Sequence, residues 1–581
     1  MLRALLFSSA LFFSLSTSAA QNVLTPEVDT FIEGTLASWF SSGGVGVAVV
    51  RQLEDGTWNV ETKGYGNRGD GNNVTADTLF AMGSSSKLFG ALTTGLLIAN
   101  ESVTPRITLD TKIADIIPGW QLADPVASEQ ATIVDLASHR TGLPGHLLSY
   151  TKEDNVTSII ERLRYLKPSA GFRETFQYSN IFYGVLSHLT EVLSTNMKFA
   201  RYAKQHLFDP LGMSSTTFSY QVAKSSGNLA SGVGRDNLSL ADLGSAIPRA
   251  MPFWANDTED GSYMSGAGGM ISNAKDTAVF LQTLLLNGQN PSTGETIIPA
   301  GVIDAVTTGI TVAEDMNIIK ALGPPEVKSL FSPTVYGAGQ TTSTYRGHVV
   351  IQHGGDVPGF HSQVSRLPYD KLGVAVLLND NEFGAYMRDV LVYGIIDRAL
   401  GLEPVDLTTP TQKALISGAK QPTSRPSDAP EPSVGTISSL VGEYKAPGYG
   451  SSLKLCAFIP NEQPTEECQA MVAGKPIVDP TIPTLLAEIS SPLATHISLR
   501  HFSGNYFNLT SLYVLPTGDE SRPFWASSTG NPRLAEFAMD ESGVVGFGIT
   551  GNFWTAGGSA GTREPVGDTV KDRAEVYYSR S

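Results

Sequence analysis

A proline-rich segment near residue 425 divides this chain into two regions with different sequence patterns. Residues 421–433 read QPTSRPSDAPEPS, with four prolines among 13 residues and almost no apolar side chain. This composition is typical of an extended linker, because it cannot form a packed core. We therefore predict a larger domain over residues 21–410, a linker over 411–436 and a smaller domain over 437–581.

The larger region mixes strand and helix patterns. Gly46–Arg51 and Trp58–Gly64 read as two strands joined by a turn at Asp55-Gly56. Apolar residues between Phe182 and Leu193 recur at spacings of four, three and four, which predicts one face of a helix. Three further strands are predicted at 349–353, 361–367 and 372–378. The order predicts an α/β (α+β) fold in which N- and C-terminal strands share one sheet beside a helical lobe.

The smaller region contains short strand-like runs separated by turn residues. We predict an all-β domain, barrel-like or a sandwich, with no convincing helix except near Leu485. No set of catalytic residues stands out in it, and we expect it to be separable at the linker. The predicted strands are 440–444, 453–456, 496–502, 506–515, 524–526, 537–540, 544–549 and 575–578.

The N-terminus has the pattern of a secretory signal peptide over residues 1–20. Arg3 supplies the positive charge, Ala4–Leu15 the apolar stretch and Ser18-Ala19-Ala20 the small residues at the cleavage site. The alternative, a membrane anchor, would need about 20 apolar residues. We expect a secreted protein with no stable membrane anchor.

Two further features agree with secretion. The two cysteines, Cys456 and Cys468, are predicted to form a disulfide, the alternative being two free buried thiols. Six N-x-S/T sequons indicate a glycoprotein. They lie at Asn73, Asn100, Asn155, Asn237, Asn256 and Asn508.

Charge and histidine content exclude several classes of partner. With 40 basic and 56 acidic residues the formal charge is −16, which argues against nucleic-acid binding. The nine histidines are scattered and form no metal-binding motif, so we predict no metal and no cofactor. We expect a monomer that acts on a small molecule.

The strongest nucleophile signal is Ser84-x-x-Lys87. Four other S-x-x-K matches begin at Ser149, Ser272, Ser417 and Ser451, so the pattern needs its context. Only Ser84 precedes a strongly apolar helix, 88–97, which would place Lys87 one turn along the same face. A serine beside a desolvated amine is an activated nucleophile.

Three other motifs each allow a functional and a purely structural interpretation. Tyr178-Ser179-Asn180 stands in a loop before a helix, where Tyr178 could face a cleft or be packed inside. His353-Gly-Gly-Asp356 ends a strand, where the histidine could contact substrate or be a satisfied surface residue. Gly557–Gly561 reads G-x-S-x-G, but no histidine follows it, so we interpret it as a glycine-rich turn.

In this order, Ser84–Lys87, Tyr178–Asn180 and His353–Gly355 resemble the three motifs of the serine β-lactamase and penicillin-binding-protein superfamily. The resemblance is strongest to the class C β-lactamase-like branch, which includes esterases, D-amino-acid peptidases and transesterases. The smaller region resembles the β-barrel appended to fungal members. Supporting stretches are 77–87, 132–146, 207–218, 265–276 and 351–362.

The resemblance implies a role for each catalytic residue. Ser84 attacks a carbonyl carbon and forms an acyl-enzyme. Lys87 and Tyr178 share the general-base role and then protonate the leaving group. The expected activity is a β-lactamase-like serine hydrolase of esterase or amidase type, acting on an ester, amide or lactone. Two alternatives stay open: an acyltransferase or transesterase in natural-product biosynthesis, and a non-catalytic binding or sensor protein that keeps the fold.

The resemblance also implies the substrate-binding groups. Asn180, His353 and Gly355 contact substrate, and the backbone N–H groups of Ser84 and Asp356 form the oxyanion hole. His353 replaces the lysine of the family's K-T-G motif and is mostly uncharged at neutral pH. We therefore expect esters to be better substrates than carboxylate-bearing β-lactams. Gln340 replaces a tryptophan found in many relatives, so we expect a different pocket shape.

Overall fold

The computed structural model describes residues 22–581 except 195, 241, 314–315, 419–424, 434, 474, 476–478, 529–531 and 557–560. The predicted signal peptide, the start of the proline-rich segment and most of the G-x-S-x-G stretch lie outside the described residues. No helix among the described residues is long and apolar enough to cross a membrane.

Helices and strands alternate up to residue 418, after which strands dominate. The helices are α1 Pro26–Ser38, α2 Ser86–Ala99, α3 Pro125–Gln130, α4 Ile133–Ala137, α5 Val156–Arg162, α6 Asn180–Leu193, α7 Phe199–Ala203, α8 Asp209–Leu211, α9 Tyr220–Ser225, α10 Ala274–Leu285, α11 Ala300–Thr307, α12 Ile318–Leu322, α13 Pro325–Lys328, α14 Gly384–Ala399, α15 Thr408–Gly418, α16 Glu466–Val472 and α17 Val570–Arg573. The strands of the larger domain are β1 Gly44–Gln52, β2 Trp58–Gly66, β3 Phe80–Ala81, β4 Gly232–Asp236, β5 Ile247–Met251, β6 Ile271–Ser272, β7 Thr311–Val312, β8 Val335–Tyr336, β9 Thr341–Tyr345, β10 His348–Val357, β11 Phe360–Leu367 and β12 Leu372–Leu378. The strands of the smaller domain are β13 Gly442–Lys445, β14 Leu453–Phe458, β15 Thr484–Glu488, β16 His496–Ser503, β17 Tyr506–Pro516, β18 Phe524–Ser528, β19 Arg533–Asp540, β20 Gly543–Thr550 and β21 Val576–Arg580.

The main sheet joins the two ends of the larger domain, as predicted. Its strand order is β2-β1-β12-β11-β10-β9-β8-β7, and β1 pairs antiparallel with β12. Alternate residues of β1 face opposite sides. Val47 packs with α1 and α14 on one face, and Ala48 packs with α10 and the helical lobe on the other. The α/β (α+β) class with a helical lobe is therefore confirmed.

The smaller domain closes into a barrel because β16 pairs with both β15 and β17. The closed ring is β16-β15-β14-β13-β21-β20-β19-β17, and β18 adds to β17 outside it. The prediction of a helix near Leu485 is wrong: Thr484–Glu488 form β15, which pairs antiparallel with β14 and β16. Helix α16 was not predicted. Its Cys468 forms a disulfide with Cys456 on β14, which confirms that pairing.

The boundary set at residue 410 falls inside helix α15. Thr411 is buried on the larger domain, and Gln412 donates a hydrogen bond to the Ser38 carbonyl, so this part of the presumed linker belongs to the fold. Five of the six sequon asparagines are exposed, whereas Asn508 is half-buried within β17.

Candidate active site

Ser84 and Lys87 lie where the chain enters α2. Ser84 occupies a short turn of 3-10 helix over Gly83–Ser85, and Lys87, one turn later, is the second residue of α2. Lys87 Nζ lies 3.0 Å from Ser84 Oγ. By contrast, the lysines of two competing motifs, Lys275 and Lys454, form ion pairs with surface carboxylates. Context therefore separates the first S-x-x-K from these two.

Lys87 is a buried amine surrounded by oxygen atoms. Its side chain is fully enclosed, and burial lowers the pKa of the ammonium well below its usual range. Nζ donates to Asn180 Oδ1 at 2.6 Å and to the Ala267 carbonyl at 2.7 Å. No carboxylate pairs with Nζ among the described residues, so no ion pair there opposes the loss of its proton.

The arrangement fixes the direction of the amine lone pair. Two of the three partners of Lys87, the Asn180 and Ala267 oxygens, can only accept. A neutral amine has two N–H groups, and these two oxygens take both. The remaining lone pair then faces Ser84, whose hydroxyl can donate. This is the geometry required to remove the proton of Ser84.

Tyr178 contacts both Ser84 and Lys87. Its hydroxyl hydrogen-bonds Ser84, and its ring centroid lies 4.7 Å from Lys87 Nζ. Burial raises the pKa of the Tyr178 phenol well above its usual range, although the contact with Ser84 opposes this. Burial thus favours a neutral phenol beside a neutral amine. Asn180, the first residue of α6, bridges Lys87 to Tyr150, to which its Nδ2 donates at 3.4 Å.

Two glycines bring the end of β10 against the Ser84 turn. Gly83 has φ +50°, and a Cβ added there would lie 2.6 Å from the backbone nitrogen of Asp356. A Cβ on Gly355 would lie 1.8 Å from the Met82 carbonyl oxygen. The backbone of Ser84 and that of Asp356 are therefore neighbours, as an oxyanion hole requires. The space beside Gly355 is filled by Met82 rather than left open for substrate.

His353 lies at the site, but both of its ring nitrogens face protein atoms. The Tyr336 hydroxyl lies 2.9 Å from Nε2, and Nδ1 lies 2.5 Å from the Gly354 carbonyl. Since that carbonyl can only accept, Nδ1 carries the proton and Tyr336 donates to Nε2. Burial lowers the pKa of His353 to about 3, so the ring is neutral at pH 7. The alternative of a surface histidine is excluded by its 3% exposure.

Sequence reasoning assigned no role to three residues that complete this site. Tyr336 orients His353, and Ala267 supplies a carbonyl to Lys87. His139 accepts a hydrogen bond from the Ser179 N–H at 3.1 Å, and its ring lies 4.5 Å from that of Tyr178. The sequence offered one signal for two of these residues: His139 and Ala267 lie in the stretches 132–146 and 265–276, which resemble the family.

Gln340 differs from expectation. Its Oε1 accepts from Arg366 Nη1 at 2.7 Å and its Nε2 donates to Thr307 at 3.1 Å. The side chain therefore crosslinks β9–β11 to α11 rather than shaping a pocket at Ser84. No group of three or more metal-ligating side chains is found in the part of the chain that the structure describes.

The barrel packs directly against the segment that carries Tyr178. A Cβ on Gly145 would lie 2.4 Å from Thr555 Oγ1 and 3.1 Å from the Tyr178 carbonyl. The backbone N–H of His146 donates to the Trp554 carbonyl at 2.7 Å, and Gln177 Nε2 donates to Thr562 at 3.0 Å. The smaller domain is thus part of the surroundings of the catalytic residues, which its sequence did not indicate.

Comparison with known proteins identifies the family. The Beta-lactamase family model matches residues 28–393. This chain belongs to the β-lactamase family. The match covers all three motifs and ends before the barrel, so the superfamily inferred from those motifs is confirmed.

Alignments with two fungal relatives and one solved structure cover more of the chain than the family model does. The chain is 30% identical over 439 residues to the unguisins hydrolase ungD' of Aspergillus campestris, covering 72% of this chain and 75% of the relative. It is 29% identical over 381 residues to the unguisins hydrolase ungD of Aspergillus violaceofuscus, covering 64% of each. The octameric penicillin-binding protein homologue of Pyrococcus abyssi aligns over 95% of this chain and 99% of its own, with a TM-score of 0.52 and 17% identity. That last likeness shows the fold, which includes the barrel.

Proposed function

We propose that this β-lactamase-family protein is a serine hydrolase that cleaves an ester or amide through an acyl-enzyme on Ser84. The observation that carries the proposal is the lone-pair geometry of Lys87. Its two N–H groups are taken by Asn180 and Ala267, which leaves the nitrogen free to accept the Ser84 proton. A non-catalytic binding protein would have no need of a buried amine that has no carboxylate partner among the described residues.

The proposed reaction has two halves. Ser84 Oγ attacks the substrate carbonyl carbon while its proton moves to Lys87 Nζ. The N–H groups of Ser84 and Asp356 stabilise the negative oxygen. Tyr178 gives its proton to the leaving alcohol or amine and recovers one from Lys87. Water then attacks the acyl carbon and gives its proton to the same pair of residues, which releases the acid and restores Ser84.

We expect uncharged acyl substrates to be cleaved faster than substrates whose carboxylate would lie beside His353, the residue that replaces the lysine of K-T-G. His353 is neutral and both its nitrogens are occupied, so it offers no cation there. A charge-assisted hydrogen bond lost in this way is worth roughly 1.5–3 kcal/mol. The names of the two fungal relatives make unguisins the first natural substrates to test, beside short esters, lactones and D-amino-acid amides.

We also propose that the protein is secreted as a glycoprotein. The N-terminal pattern, the Cys456–Cys468 disulfide and the five exposed sequons support this. Expression of the full chain in a fungal host tests it: the protein should reach the medium and lose mass on endoglycosidase treatment. Retention inside the cell without glycans would refute it.

A serine-directed probe tests the proposed function. A fluorophosphonate should label the purified protein at Ser84, and Ser84→Ala should abolish both labelling and ester hydrolysis. The matched control is Ser451→Ala, which changes the serine of an S-x-x-K motif at the barrel surface and should leave activity unchanged. Near wild-type turnover by Ser84→Ala, with its melting temperature unchanged, would refute the assignment. Added alcohol in the assay shows whether an acyl acceptor other than water is used.

A further inference from the structure

A cavity of about 430 Å³ lies between the catalytic domain and the barrel. Its size is within the range of sites that hold small molecules. Leu148, Val357 and Pro358 line it from the catalytic domain, and Leu493, Tyr513 and Phe553 from the barrel. Neither domain encloses it alone.

The cavity lies next to the backbone that flanks Ser84 and Tyr178. Asp356 lines it, and the backbone nitrogen of Asp356 lies against Gly83, next to the nucleophile. At the barrel wall, Thr555 also lines it and contacts Gly145 beside the Tyr178 carbonyl. A substrate whose carbonyl oxygen is held by the Asp356 N–H can therefore extend its acyl part past Val357 into the cavity.

One wall of the cavity holds a cation with a free donor. Arg533 lines the cavity, and its Nη1 is buried without a partner among the described residues. Its Nε makes only a long contact, 3.4 Å, to the Asn552 carbonyl. The nearby carboxylate of Glu575 is occupied by the backbone N–H groups of residues 552–554. A buried donor left unsatisfied is costly, and a rotation of the guanidinium that brings Nη1 to a ligand oxygen in the cavity would relieve that cost.

We propose that this interdomain cavity is the acyl-binding subsite, which takes a bulky apolar acyl group and places an oxygen of that group, carbonyl or carboxylate, on Arg533. The inference rests on the proposed function, since it names the acyl part of the substrate cleaved at Ser84. It assigns the barrel a role in substrate selection. It also assigns the positive charge for substrate binding to Arg533 on the barrel instead of to residue 353. This charge would contact the substrate farther from the scissile bond.

The test uses p-nitrophenyl esters that share one leaving group and differ in the acyl group. The wild type should prefer hexanoyl and phenylpropanoyl esters to the acetyl ester. Leu493→Ala, which removes apolar contact, and Leu493→Trp, which fills the cavity, should each lower kcat/KM for the bulky esters about ten- to a hundredfold. Both should change the acetyl ester less than threefold. Ile489→Ala, in the same loop but outside this cavity, is the matched control and should have no such selectivity.

The arginine is tested in the same series. Arg533→Met should weaken hydrolysis of N-acetyl-phenylalanyl and succinyl esters about tenfold relative to the hexanoyl ester. Arg573→Met, which removes a barrel arginine bound to Glu536 outside the cavity, should not. Comparing the acetylated amino acid with succinate distinguishes a carbonyl from a carboxylate as the preferred partner.

The outcomes separate this inference from the proposed function. Equal losses on acetyl and bulky esters would overturn the subsite and leave the barrel a structural role. Selectivity for the alcohol part rather than the acyl part would also overturn it. Labelling of Ser84 by fluorophosphonate is measured for every variant, so that absence of labelling in the wild type refutes the proposed function instead.

Discussion

Asn180→Asp is the most direct test of the proton state of Lys87. The substitution places a carboxylate where an amide oxygen now lies 2.6 Å from Lys87 Nζ. An opposite charge this close favours the ammonium form and raises the pKa of the amine, by roughly 1–3 pH units. Because only the neutral amine accepts the Ser84 proton, kcat/KM should fall about ten- to a thousandfold at pH values below the acid limb of the wild type, and less at higher pH.

The assay is the pH dependence of kcat/KM for a neutral ester. Its acid limb reports the base of the free enzyme and should move to higher pH in Asn180→Asp by about 1–3 units. Asn180→Leu is the control, since it removes the acceptor and the Tyr150 contact without adding charge; its acid limb should not move upward. An acid limb that stays in place in Asn180→Asp, with Ser84 still labelled, would show that neutral Lys87 is not the base.

Three further perturbations address the framework. Gly355→Ala should cost about 1–3 kcal/mol of stability and most activity, because its Cβ would meet a backbone carbonyl oxygen at 1.8 Å; Gly301→Ala, which meets nothing within 4 Å, should be harmless in the same thermal melts. Burial lowers the pKa of His146 from 6.5 in the unfolded chain to about 4 in the folded protein. The resulting contribution to stability is complete above pH 6.5 and declines by about 3 kcal/mol as the pH falls towards 4. His146→Gln should therefore flatten the fall of Tm between pH 6.5 and 4, and an unchanged slope would contradict this. Cys456→Ser with Cys468→Ser should destabilise the barrel by about 2–4 kcal/mol in urea unfolding, and a smaller loss would mean that packing alone holds α16.

The sequence predicted those parts of the site that local spacing determines. Lys87 follows Ser84 at a spacing of three positions, which places both on one helix face, and the apolar run after them distinguishes this motif from the four other S-x-x-K matches. The apolar runs of β1 and β12 likewise predicted strands, and the order of the elements along the chain predicted that they share a sheet. In each case the information lies within a few neighbouring residues, where helical and strand periodicities act.

The remaining features depend on contacts between distant segments. The Lys87 lone pair is directed by Ala267, 180 residues away, and the cavity wall at Thr555 meets Gly145 across the domain boundary. Closure of the barrel depends on β16 pairing with two strands, which no single strand pattern encodes. Helix α16 is short, and a disulfide anchors it, so its periodicity gave a weak signal.

The charges around Asp356 explain how a carboxylate can lie beside an oxyanion hole. Its backbone N–H is proposed to stabilise a negative oxygen, which its own side chain would oppose if it were unpaired. Instead, Asp356 Oδ1 accepts from Arg388 Nη1 at 2.8 Å and lies 2.6 Å from His361 Nδ1. The other His361 nitrogen lies 2.9 Å from the Asn381 carbonyl, so both ring nitrogens of His361 face acceptor oxygens.

Arg388 and His361 thus both contact the carboxylate of Asp356, which lines the interdomain cavity. Arg388, which also pairs with Asp389, partly offsets the charge of Asp356 without placing a positive side chain at the K-T-G position, where His353 stays neutral. Among the described residues that line this cavity, Arg533 on the barrel side carries a guanidinium nitrogen without a partner. A substrate recognised by these charges is therefore uncharged near its scissile bond and carries its acceptor oxygen farther along the acyl group, which is the reverse of what a lysine at position 353 would select.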